Sequence, residues 1–171
     1  MDQQFSAELT TGPDRVYPLV ADLTRYPEFL EIVHRVEVAA DGAEGEPPAW
    51  LVTLRAKIGP FARSKRLRMV RTVADEGRQA RFERAEIDGR SHSAWVLEAT
   101  IAPRPADNDN DNDNDNNGDG DGDGDGDGDG GSTLTMRLAY SGGLWSSALD
   151  GLLRAQVDRA ASHLDSLAAA T

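Results

Sequence analysis

Between Gly143 and Ala169 the apolar residues recur at three-and-four spacing: Leu144, Trp145, Ala148, Leu149, Leu152, Leu153, Val157, Ala160, Leu164 and Leu167, with a polar break at Gln156. That period is the stripe of an amphipathic helix. Arg154, Asp158, Arg159 and Asp165 take the opposite face. Gly142 and Gly143 precede the stripe, and Ser146 is a cap if the helix starts a little late. At about 1.5 Å per residue, a helix of roughly 25 residues spans nearly 40 Å. No other segment supports a comparable helix. Most of what precedes it alternates in the manner of strands, so a curved sheet closing on one long helix is expected.

The strands follow in order. Gln4 to Thr10 places Phe5, Ala7 and Leu9 on one side. Thr11-Gly12-Pro13-Asp14 stops it; Pro13 suits the first turn of a helix, and Thr11 is the expected cap. Val16, Leu19, Val20 and Leu23 give a short helical stripe, and Arg25 to Leu30 gives a second short helical turn. Further strands are expected over Val33–Ala39, Trp50–Ile58, Arg63–Ala74, Gln79–Ile87, Ser93–Ala102 and Thr133–Tyr140. Turn signals at Gly59-Pro60, Asp75-Glu76-Gly77 and Asp88-Gly89 favour antiparallel neighbours. The fold class is therefore α+β.

Residues 107–131 hold 11 Asp and no Lys or Arg, alternating first with Asn and then with Gly. Without them the chain has 19 acidic and 18 basic residues, so the net charge of −12 belongs to one segment. Lacking apolar residues, the segment has nothing to bury and is expected to be a disordered insert at a hairpin tip, in a single domain spanning 1–171. Its Asp-Gly repeats lack the bidentate Glu and flanking helices of calcium loops.

Composition excludes several functions. With no cysteine, disulfides and thiolate metal sites are impossible. No apolar run is long enough to cross a membrane. The N-terminal Met1-Asp2-Gln3-Gln4 has no signal-peptide character. A cytoplasmic protein is expected. His34, His92 and His163 show no metal-ligand spacing. Phosphate loops and nucleophile elbows are missing, and no cofactor is expected.

The stretch Val16-Tyr17-Pro18-Leu19-Val20-Ala21-Asp22-Leu23-Thr24-Arg25-Tyr26-Pro27-Glu28-Phe29-Leu30, with this element order, resembles the START-like (SRPBCC) helix-grip superfamily. The likeness is to its polyketide cyclase/dehydrase and ubiquinone-binding Coq10-like members. It covers nearly the whole chain apart from the insert. Where the Coq10-like group continues with Pro-Trp-Cys, this chain has Glu31-Ile32-Val33. The resemblance implies a helix-grip fold: a seven-stranded curved antiparallel sheet around a long C-terminal helix, two short helices after the first strand, and a hydrophobic cavity between sheet and helix.

If the apolar strand faces turn inward, Val52, Leu54, Leu67, Met69, Phe82, Trp95, Leu97, Leu138, Trp145, Leu149 and Leu152 line that cavity. The simpler reading is that they fill a core. Polar residues sharing their face carry more information: Arg71 is in register with Leu67 and Met69, Arg84 and Glu86 with Phe82, and Tyr140 with Leu138. Buried charges must be paired, so Arg71 or Arg84 is expected to meet Glu86. Structural ion pairing is one reading of them. The other is that Arg and Tyr bond a ligand oxygen and, in a cyclase, stabilise an enolate during aldol closure and dehydration. The basic run Arg63-Ser64-Lys65-Arg66-Leu67-Arg68 could meet an acidic lipid surface, an acyl carrier protein or RNA. A solvated outer strand face is the plainer account, and without interleaved aromatics no nucleic-acid partner is expected.

Three functions follow as expectations. The first is binding of a hydrophobic small molecule, a polyketide, quinone or lipid. The second is a polyketide aromatase/cyclase, and the third is a cavity-less interaction domain.

Overall fold

A computed structural model describes residues 2–40, 45–58, 61–104, 130–141 and 159–170. Its strands are β1 (Asp2–Leu9), β2 (Val33–Val38), β3 (Ala49–Ile58), β4 (Phe61–Asp75), β5 (Gln79–Arg84), β6 (Trp95–Pro103) and β7 (Ser132–Tyr140). They form one sheet in the order β1-β7-β6-β5-β4-β3-β2, every neighbouring pair antiparallel. Between β1 and β2 lie helix α1 (Pro13–Val20) and a 3-10 turn (Leu23–Glu28). Residues 159–169 are helical and are called α2. The long helix expected over Gly143–Ala169 is thus described only in its last turns; Trp145, Leu149 and Leu152 lie outside the described residues.

Alternation in the sequence becomes two faces in the sheet. Trp50, Val52, Leu54 and Ala56 on β3, Leu67 and Met69 on β4, and Trp95, Ala99 and Ile101 on β6 are all buried. The 15-residue β4 joins the two halves: Phe61 to Val70 pairs with β3, and Met69 to Asp75 pairs with β5. Its register with β5 shifts between Arg71 and Val73, a bulge that adds local twist and bends the strand. The β4–β5 turn holds Gly77 at φ +73°, where an L side chain would be strained.

The short helical elements cover one end of the buried face. Pro13 opens α1, and Val16, Leu19 and Val20 are buried. Thr11 does not cap it. Gly12 holds the cap position without a side-chain bond, because the Thr11 hydroxyl donates instead to Asp165 Oδ1 at 2.7 Å. The 3-10 turn is capped by Asp22, whose carboxylate accepts from Thr24 N at 2.9 Å. Tyr26, 1 % exposed, packs on Phe29 and Phe82 at ring distances of 4.9 and 6.4 Å and donates its hydroxyl to Val20 O at 2.9 Å. The turn is thereby locked to α1. Leu164 and Ala168 bury the inner stripe of α2.

Three boundaries differ from the sequence reading. β5 ends at Arg84, not Ile87: Ala85 N makes one more bond to Arg68 O, the chain then leaves the sheet, and Ile87 is 72 % exposed. β2 ends at Val38, not Ala39, and Val38 is exposed at the end of this edge strand. The acidic insert was expected to run to Gly131, yet Gly131 belongs to the fold. Its carbonyl accepts from Arg104 N at 2.8 Å, and a Cβ there would sit 2.3 Å from Leu9 O. Residues 105–129 lie outside the described residues.

Candidate functional site

A cavity of about 130 Å³ lies against the buried face of the sheet. The sheet contributes Val52 and Leu54 from β3, Leu67 and Met69 from β4, Trp95 and Leu97 from β6, and Leu138 from β7. Those are the sequence-predicted lining residues that fall within the described chain, with one exception. Phe82 is fully buried in the core between Tyr26 and Trp50 and is not on the wall.

The rest of the wall, which includes Phe5 and Ala7 of β1, is only partly legible in the sequence. The 3-10 turn and the chain after it supply Leu23, Tyr26, Phe29, Leu30 and Ile32, and α2 supplies Ala160, Ala161 and Leu164. From sequence, the Tyr26-Pro27-Glu28-Phe29-Leu30 turn reads either as a packing clamp or as one wall of a cavity mouth, whereas nothing singles out Ala160, Ala161 or Leu164 as wall residues. The small residues Ala160 and Ala161 are informative. Two larger side chains there would fill the space between helix and sheet.

None of the four polar candidates is on this wall. Arg71 does not meet Glu86. Its Nη1 donates to Ala21 O at 3.0 Å and its guanidinium stands 6.0 Å from the Trp50 ring centre, so it ties β4 to the end of α1. Arg84 does meet Glu86: Nε donates to Oε1 at 2.7 Å, with only 8 % of the Arg84 side chain exposed, and Nη1 donates to Ser93 O at 3.2 Å. Arg84 sits opposite Met69 on β4, and Tyr140 opposite Trp95 on β6. Tyr140 is buried, with its ring 4.3 Å from that of Trp95.

The basic run on β4 splits between faces, as strand alternation requires. Arg66 and Arg68 lie on the outer side. Arg66 reaches Glu37 at 3.5 Å, and Arg68 donates to Ala85 O at 2.9 Å. Lys65 is on the inner side, opposite Leu54. Its ammonium stands 5.1 Å from the Trp95 ring centre and 5.2 Å from that of Tyr140, within the range of cation–π attraction. Burial lowers the Lys65 pKa from its usual value; Arg84 adds to that effect and Glu86 opposes it. The cavity itself is apolar, and Lys65 stands beside one of its wall residues, Trp95, without being on the wall. His92 lies away from it, paired with Asp88 at 2.8 Å.

At the far end α2 is fastened to the loop after β1. The Asp165 carboxylate accepts from the backbone N–H and the hydroxyl of both Thr10 and Thr11, at 2.7–3.2 Å. Burial alone would raise the Asp165 pKa, but these hydrogen bonds outweigh it and hold the carboxyl below its ordinary value.

No protein-family model and no curated protein matches this sequence. Solved structures do match in shape. A START superfamily protein from Mycobacterium smegmatis superposes with a TM-score of 0.60 at 12 % identity, over 96 % of this chain and 94 % of that one. A protein from Thermus thermophilus gives 0.58 at 16 % identity, over 99 % and 98 %. The di-domain ARO/CYC StfQ from the steffimycin biosynthetic pathway gives 0.58 at 12 % identity, over 98 % of this chain and 50 % of that two-domain chain. At these identities the likeness shows the fold, which is START/SRPBCC-like.

Proposed function

We propose that this protein binds a hydrophobic small molecule in the cavity between its sheet and its C-terminal helix. The observation that carries the reading is the void itself: about 130 Å³, walled by apolar side chains from the sheet, the 3-10 turn and α2. A filled core would have favoured the interaction-domain reading. An engineered cavity of about 150 Å³ with similar lining stays dry and takes up benzene. By that measure the space fits a body the size of one aromatic ring. Burying about 150 Å² of ring surface gains roughly 4 kcal/mol at 25 cal/mol per Å², before the cost of immobilising the ligand. A polyketide, quinone or lipid of larger bulk needs α2 or the 3-10 turn to move outward. The function is then sequestration from water.

The aromatase/cyclase reading draws on the fold shared with StfQ. It requires polar groups on the ligand, and Arg71, Arg84 and Glu86 do not reach the wall. Tyr140 adjoins the wall through Trp95. Binding without conversion is the better supported of the two.

Titration with toluene, followed by the methyl NMR signals of the wall residues, tests the proposal. Saturable binding at one site is expected in the wild type. Ala161→Leu, which places three more carbons in the void, should weaken it at least tenfold while the protein stays folded. Absence of saturable binding, or binding that a folded Ala161→Leu variant leaves intact, would overturn the proposal.

A further inference from the structure

Two polar groups meet at Trp95, a residue of the cavity wall, and neither has a hydrogen-bonding or ionic counterpart among the described residues. Trp95 is 3 % exposed and lines the cavity, yet its indole N–H has no hydrogen-bond partner there. Buried indole N–H groups ordinarily find an acceptor, and one left unmade costs stability. Lys65 is the second group. Among the described residues no carboxylate lies within salt-bridge distance of its ammonium. Glu86, the carboxylate that bears on it electrostatically, is engaged by Arg84 Nε at 2.7 Å and by Arg68 N at 3.3 Å. With Arg84 and Glu86 engaged with one another, the partly exposed Lys65 ammonium has no direct counter-ion among the described residues.

These groups are held together by the register. Lys65 pairs with cavity-lining Leu54 across β3–β4, and Trp95 pairs with Tyr140 across β6–β7. Stacking over the two rings directs the Lys65 side chain across the sheet toward Trp95. An unused donor on Trp95 and a cation without a direct counter-ion over its ring suit an anionic acceptor.

We infer that the ligand is an amphipathic carboxylate: its apolar body of about one ring fills the cavity, and its carboxylate accepts from the Trp95 indole N–H beside the Lys65 ammonium. This rests on the binding function proposed above and adds the chemistry of the ligand's head.

The test compares sodium benzoate with benzyl alcohol, a neutral probe of similar bulk, by calorimetry at pH 7. Benzoate should bind at least tenfold more tightly. Lys65→Met should reduce that preference to within twofold, and Lys65→Arg should keep it. Trp95→Phe should weaken benzoate at least threefold. Should Lys65→Met fail to fold, Lys65→Gln takes its place, and the wild-type comparison stands without either. If benzyl alcohol binds as well as benzoate, or Lys65→Met retains the preference, the carboxylate head is wrong while the apolar cavity survives. If neither probe binds, both readings fall.

Discussion

Asp165 gathers both amides and both hydroxyls of Thr10 and Thr11 onto one carboxylate. Hydrogen bonds to a charged group are each worth about 1.5–3 kcal/mol, so Asp165→Ala should destabilise the fold by roughly 2–4 kcal/mol in urea unfolding. The pH dependence has a definite sign. The folded-state pKa is lowered, so this stabilisation is complete above the unfolded value of about 3.9. It is lost as pH falls through the folded value. The stability gap between wild type and Asp165→Asn should accordingly narrow below about pH 4; a gap independent of pH would contradict the ionised latch. Gly131 gives a second residue-scale prediction. Its φ is not positive, so the objection to a side chain is purely one of space: a Cβ 2.3 Å from Leu9 O forces β1 and β7 apart. Gly131→Ala should cost about 1–3 kcal/mol, measurable as a lowered urea midpoint. Residue roles were the least legible part of the sequence. Thr11 looked like a cap because nothing local reveals that Asp165, 154 positions away, competes for its hydroxyl. Lys65 was hidden in a basic run whose alternation puts it on the other side of the sheet from Arg66 and Arg68.

Elements were far more legible, since burial imposes periods of two and about 3.6 on the sequence. Each expected strand exists, and the proline-punctuated stretch Val16–Leu30 does form a helix and a turn. Errors fell where an element loses its partner. The alternation of Gln79 to Ile87 continues past Arg84, but the sheet does not, so Ile87 is exposed. The wall residues of α2, Ala160, Ala161 and Leu164, are not legible as such because a helix's inward residues signal burial and not what they are buried against. α2 also allows a test at its own scale. Leu164 is 1 % exposed and lies on the cavity wall. Leu164→Ala should cost about 2–4 kcal/mol and enlarge the void enough to admit naphthalene, which the wild type should bind at least tenfold more weakly. Equal naphthalene affinity in the two proteins would show that the void is not bounded by α2.

The whole molecule separates a nearly neutral domain from an acidic segment. Pro103 and Ser132 face each other across β6–β7, and Ser132, fully buried, donates its hydroxyl to Thr11 O at 2.7 Å. The strand ends that flank residues 105–129 are therefore already joined by the fold. Replacing residues 107–128 by a Gly-Ser linker should leave the melting temperature within about 3 °C, given the weak dependence of loop entropy on length, and should leave toluene affinity unchanged. A loss of either would assign the acidic segment a structural or ligand-gating part. No helix among the described residues is long and apolar enough to cross a membrane. What unifies the molecule is the space enclosed by sheet, turn and helix. A crystal pressurised with xenon reports on it directly, because xenon enters dry apolar cavities and avoids polar, water-filled ones. The expected result is one strong xenon peak among Leu67, Leu97, Leu138 and Leu164. A crystal with no xenon at that position, or with ordered water there, would contradict the account.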